Sequence, residues 1–186
     1  MKNKAHYLKS FKLKVLYRDI QPFSVKFRPG LNVIVGENGS GKSSLLELLM
    51  GPDGKTCEKN ASQVEFRFLD TEKPNPRIKS NLEYSKNIGY MIHSRFKSHG
   101  QAMGPIIQAS EDFKDILLFI DEPEAGLSLS NQKRSLQAFE KAIENNCQIL
   151  LTTHSYVTIK SVPEVFSMDD KVWLSSKDYL KKIMGE

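Results

Sequence analysis

Three glycines, a lysine and three serines are gathered in one short stretch, Gly-Glu-Asn-Gly-Ser-Gly-Lys-Ser-Ser from Gly36 to Ser44. Gly36, Gly41, Lys42 and Ser43 fit the spacing Gly-x-x-x-x-Gly-Lys-Ser. The chemistry that such a stretch suits is the holding of phosphate. Small residues let the backbone come close to an anion, so the N–H groups along Gly36, Glu37, Asn38, Gly39, Ser40, Gly41, Lys42, Ser43 and Ser44 can wrap around it. The Lys42 ammonium can neutralise the β- and γ-phosphates, and the Ser43 hydroxyl can serve Mg²⁺.

A second stretch supplies carboxylates. In Ile-Leu-Leu-Phe-Ile-Asp-Glu-Pro-Glu-Ala-Gly an apolar run ends in Asp121, followed at once by Glu122. A carboxylate at the end of a buried strand can enter the Mg²⁺ shell, which is the role expected of Asp121. Its neighbour, at the mouth of the same sheet, is placed to polarise an attacking water, so Glu122 is the candidate general base.

The elements that must position these groups are legible in outline. Leu31 to Val35 and Ile116 to Ile120 are continuous apolar runs, the pattern of strands covered on both faces. Tyr7 to Tyr17 and Phe23 to Phe27 alternate apolar with polar residues, as half-buried antiparallel strands do. Lys42 to Met50 reads as a helix starting inside the phosphate loop and stopping at Gly51-Pro52. Gln63 to Asp70 alternates again and reads as a strand, while Thr71 to Asn87, with Pro74 and Pro76, reads as loop. From Asn131 to Ile143 the apolar residues fall at helical spacing behind Ser128 and Ser130 as candidate caps, and Gln148 to Thr153 follows as a buried strand. The expected architecture is α/β: a mostly parallel core sheet flanked by helices, with an N-terminal antiparallel β flap.

Composition agrees with one domain over residues 1–186, since 186 residues with 39% hydrophobic content support one sizeable core. The net charge of +5 tolerates an anionic partner without demanding one. Lys177, Lys181 and Lys182 form the one basic cluster near the C-terminus, read as a solvated helix face. Cys57 and Cys147 have no metal-ligand spacing and read as two reduced thiols. With no signal-like N-terminus and no apolar run of about 20 residues, the expected location is the cytoplasm.

Taken together, Gly36 to Ser44, Leu117 to Ser128 and Leu150 to Ser155 resemble the ABC-type ATPases, in particular the soluble branch with the RecF, SMC and OLD-like proteins and small bacterial AAA-like ATPases. Asp-Glu-Pro after four apolar residues is the most specific part, since it separates this group from kinases and GTPases. The resemblance implies the P-loop fold of ABC-ATPase type, with ATP and Mg²⁺ as ligands and hydrolysis of ATP by water. It makes His154 the switch histidine that meets the γ-phosphate, and places Lys42, Glu122 and His154 in the catalytic set. Tyr17 and Arg18 become adenine-side residues. Ser98, Gly100 and Gln101 match a Ser-Gly-Gly-Gln signature that completes the site of a second copy, with His99 replacing a glycine.

Departures bear on the partner. The interval between Lys42 and Ser98 is far shorter than in transporter ATPases, implying a much reduced helical subdomain. His93 stands where that family's glutamine would be, and Gln63, Asp70 and Glu72 are the alternatives left open. Ser128 replaces an aspartate common after the proline-containing turn. The resulting expectation is a nucleotide-dependent homodimer acting on nucleic acid or an effector protein, in a repair or phage-defence setting. The ATP-binding subunit of a membrane transporter, docked on a permease, is the alternative.

Overall fold

The computed structural model describes residues 5–70 and 112–185. Two sheets organise them. The larger has six strands in the order β5-β6-β7-β3-β8-β9: β3 is Leu31–Val35, β5 Phe66–Asp70, β6 Leu117–Asp121, β7 Gln148–Thr152, β8 Glu164–Ser167 and β9 Val172–Ser175. All its pairings are parallel except β8 with β9. The smaller sheet is antiparallel, in the order β2-β1-β4, with β1 Leu8–Leu13, β2 Phe23–Lys26 and β4 Cys57–Ala61. The α/β architecture with a mostly parallel core sheet and an antiparallel flap is therefore as the sequence predicts.

The apolar runs form strands because both of their faces are covered. Val33, Val35, Leu118, Ile120, Ile149 and Leu151 point to one side, where they pack with Ala138, Phe139 and Ala142. Those three belong to helix α2, Leu129–Glu144. Ile34, Leu117, Phe119 and Leu150 point to the other side, against Leu45, Leu46 and Leu49 of helix α1, Lys42–Met50, and against Phe11, Leu13 and Val25 of the flap. One strand thus feeds two cores, and this two-residue period fixes its register. Gln148 ties the flap to the core sheet: its carboxamide accepts the Leu8 N–H at 2.7 Å and donates to Leu8 O at 2.9 Å and Arg28 O at 3.0 Å.

Helix boundaries follow local chemistry. The Ser128 hydroxyl accepts the Asn131 N–H and caps α2. Ser155 caps α3, Tyr156–Ser161, and Ser175 caps α4, Ser176–Met184. Three strands, β4, β8 and β9, were not assigned from the sequence. Each is only four or five residues long, and β4, Cys-Glu-Lys-Asn-Ala, is mostly exposed. Cys57 and Cys147 are free thiols buried in different cores. No described helix is long and apolar enough to cross a membrane.

Candidate nucleotide-binding site

The phosphate loop runs from the end of β3 into α1, and its shape depends on two glycines. Gly41 adopts φ 93°, and a Cβ there would come within 2.4 Å of the Ile20 side chain. Gly36, at φ 153°, would place a Cβ 2.6 Å from Ser40 Oγ. As N-cap, Gly41 leaves α1 without a side-chain cap, unlike α2, α3 and α4. The first N–H groups of α1 are thus left to an outside acceptor, and the helix dipole favours an anion there.

Lys42 begins that helix with its side chain only 5% exposed. A buried ammonium needs partners. It donates to Gly36 O at 3.1 Å and Glu37 O at 3.2 Å, both within the loop, and lies 3.7 Å from Glu122 Oε1. The same Glu122 oxygen is 3.2 Å from His154 Nε2. Two residues singled out separately in the sequence, Lys42 and His154, therefore converge on the carboxylate of a third, Glu122.

Glu122 itself has φ 44°, an uncommon conformation for a non-glycine residue. Its N–H is held by Thr152, at 3.1 Å from the carbonyl and 3.2 Å from the hydroxyl. That hydroxyl also donates to Asp121 Oδ1. Asp121 and Thr152 are direct partners in the β6–β7 register, so one threonine holds the Asp121 carboxylate and the Glu122 peptide. The fit to a small hard cation rests on the donor set: one hydroxyl (Ser43) and one carboxylate (Asp121) are the few protein oxygens that Mg²⁺ accepts when phosphates and water supply the rest.

Arg18 comes to the loop, and Tyr17 lies beside it. Arg18 donates to Ser44 Oγ at 2.9 Å, pairs with Glu47 at 3.0 Å and lies 5.2 Å from the Tyr17 ring centre. Their turn also carries Ile20 against Gly41. Ser98, Gly100 and Gln101 lie outside the described residues, as do His93 and Glu72. Asp70 ends β5 at the register position of Asp121, while Gln63 is exposed before β5.

The sequence reading missed three residues. Thr152 holds the Asp121 carboxylate and the Glu122 peptide, as described. Glu124 Oε1 accepts the His154 N–H at 2.5 Å and so fixes the peptide that carries the imidazole. Asp169, in the turn between β8 and β9, accepts the Glu37 N–H. A signal existed only for Glu124, since it lies in the same acidic turn as Glu122. Two buried side-chain atoms among the described residues have no hydrogen-bond partner, Ser40 Oγ and Glu124 Oε2. Both belong to the loops of this site.

A strand, phosphate loop and helix, with an Asp-Glu pair at the end of the next strand but one of a parallel sheet and a histidine just past the end of the strand between, are the parts of an ABC-type P-loop ATPase. Residues 7–181 match the AAA domain family, and the chain belongs to it. It is similar to the chromosome partition protein Smc of Mycobacterium tuberculosis, 34% identical over 82 residues, which are 42% of this chain and 7% of that protein. The Smc protein of Mycobacterium leprae is 35% identical over 68 residues, 35% of this chain and 6% of that protein. The matches thus span 6% to 7% of the length of these relatives. Among solved structures, an inward-facing ABC transporter described as of metal-chelate type superposes with TM-score 0.64 at 20% identity, covering 98% of this chain and 89% of that one. A nucleotide-free ATP-binding cassette from an ABC transporter gives 0.61 at 12% identity, covering 99% and 94%. At such identity the likeness is one of fold alone.

Proposed function

We propose that the chain binds MgATP and hydrolyses it slowly, and that two copies closing head to tail over two nucleotides pass this cycle to a nucleic-acid or protein partner. The observation that carries the reading is the convergence of Lys42 and His154 on the Glu122 carboxylate at the phosphate loop. Lys42 and the loop amides stabilise charge on the transferred phosphoryl group, where electrostatic positioning is most of the catalysis. Glu122 takes the proton of the attacking water. His154, its peptide fixed by Glu124, meets the γ-phosphate and steadies the Glu122 carboxylate. Ser43 and Asp121 would hold Mg²⁺, which when bound offsets phosphate charge. Tyr17 and Arg18 border the adenine side, and Ser98, Gly100 and Gln101 complete the site of the second copy.

DNA is the favoured class of partner, because the relatives of similar sequence are chromosome partition proteins. The transporter alternative is not favoured, since its support is likeness of fold alone. Steady-state ATPase of the wild type and Lys42→Ala, each with and without single- and double-stranded DNA, tests the reading. Turnover that depends on Lys42 and rises with DNA is expected. Activity indifferent to Lys42 would remove the phosphate-loop role, and indifference to DNA alone would move the partner to a protein.

A further inference from the structure

The parallel register of β3 with β8 sets Ile34 opposite Phe166 and Val35 opposite Ser167. Continued past the strand ends, it brings Met168 and Asp169 level with Gly36 and Glu37, where the phosphate loop begins. The Met168 N–H donates to Val35 O at 2.7 Å, one further rung of the ladder. Both oxygens of Asp169 then face the Glu37 N–H, at 3.1 and 3.3 Å. Gly36 is enclosed by this contact, since a Cβ there would lie 3.1 Å from Asp169 Oδ2 and 3.1 Å from Met168 Cβ.

The turn that carries Asp169 is itself anchored. Ser167 O accepts the Lys171 N–H at 2.9 Å, the Ser167 hydroxyl donates to Asp170 at 2.8 Å, and Lys182 of α4 pairs with Asp170 at 2.6 Å. Asp169 thus reaches the loop from a fixed support.

A negative charge next to a loop that receives phosphate opposes binding by simple Coulomb repulsion. The corner is already acidic: Tyr179 has its pKa pushed up to about 12 by burial, with the charges of Asp169, Glu37 and Asp170 adding to it. What favours an aspartate here is the hydrogen bond, since a carboxylate is a strong acceptor for a backbone N–H. Building on the ATP reading of the loop, we propose that Asp169 is a positioning residue: it holds the Glu37 peptide and thereby aims the amides that follow, against some charge repulsion.

The test is equilibrium binding of a fluorescent ATP analogue with Mg²⁺ to the wild type, Asp169→Ala, Asp169→Asn and Lys42→Ala, with melting temperatures and ATPase kinetics. Asp169→Ala should bind about tenfold more weakly, the loss expected for a hydrogen bond to a charged group, with KM raised and kcat within about twofold. Asp169→Asn should bind as tightly as the wild type or more so, because its carboxamide oxygen accepts the same N–H without the charge. Tighter binding by both variants would leave Asp169 with a charge effect alone and overturn the proposal. Equal losses in both, with lower melting temperatures, would make it a folding residue and overturn it too. Unchanged affinity in Asp169→Ala beside a wild type that binds sinks this proposal and spares the ATP reading. A wild type no better than Lys42→Ala would remove both.

Discussion

Glu122, the proposed general base, has a backbone that few glutamates adopt, φ 44°. Such a conformation costs about 1 kcal/mol or more and persists because Thr152 holds the Glu122 N–H from two atoms. If this strain serves catalysis, chemistry and stability should separate at this residue. Glu122→Gln keeps the shape and loses the proposed base, so ATP turnover should fall about 100-fold or more while nucleotide binding remains. Glu122→Gly should be as inactive, yet melt at a higher temperature than Glu122→Gln, since glycine takes positive φ freely. Equal melting temperatures in a thermal scan would show that the backbone there carries no strain. Thr152→Val tests the partner side. It removes the hydroxyl that bonds Asp121, the proposed metal ligand, and should raise the Mg²⁺ concentration for half-maximal ATPase about tenfold. A titration with unaltered Mg²⁺ dependence would separate Asp121 from the metal.

At the scale of elements, the C-terminal hairpin and α4 matter more than their basic cluster suggests. Lys182 pairs with Asp170 at 2.6 Å and, with the Ser167 hydroxyl, holds that carboxyl below its ordinary pKa. A depressed pKa means that the folded state binds its proton less readily than the unfolded chain. The stabilisation is therefore present above the unfolded value, near 4, and lost as pH falls through the lower folded value. Asp170→Asn should thus cost about 0.5–1 kcal/mol in denaturant unfolding at pH 7, the scale of a half-exposed pair, and the difference should shrink below about pH 4. Neutralising Lys177 and Lys181, which make no ion pair among the described residues, should leave ATPase activity unaltered. Such distinctions also mark what sequence makes legible. The runs Leu31 to Val35 and Leu117 to Ile120 announce strands because two cores demand apolar residues on both faces, and the loop between β3 and α1 announces phosphate because its backbone must come close. Strand β4 does not announce itself, being an exposed partner of β1 with a polar sequence. Asp169 was invisible for a different reason: its meeting with Glu37 is set by a register between segments far apart in the chain, and neither segment encodes it locally.

For the whole molecule, the decisive feature is that the described residues of the site lie along one edge. Lys42, Asp121, Glu122 and His154 all stand at or just beyond the C-terminal ends of β3, β6 and β7, three adjacent strands of one sheet. Glu122 and His154 remain 39% and 40% exposed, so this edge faces outward, whereas Lys42 is buried behind it. Against the described residues alone, a triphosphate laid on this edge would keep its far side in water, where charge stabilisation is weakest. A second copy presenting Ser98, Gly100 and Gln101 would cover that side and exclude water. Closure should then follow nucleotide and be undone by hydrolysis. Glu122→Gln, which retains ATP, should be a dimer with MgATP and a monomer without it in light scattering. Adding Ser98→Arg should abolish the dimer by setting a bulky side chain where phosphate must lie, while monomer affinity for ATP stays within about twofold, because no group of the monomer's own phosphate loop is changed. Should Glu122→Gln bind saturating MgATP and still scatter as a monomer, the cover must come from another protein, and the homodimer reading would give way to a partner subunit.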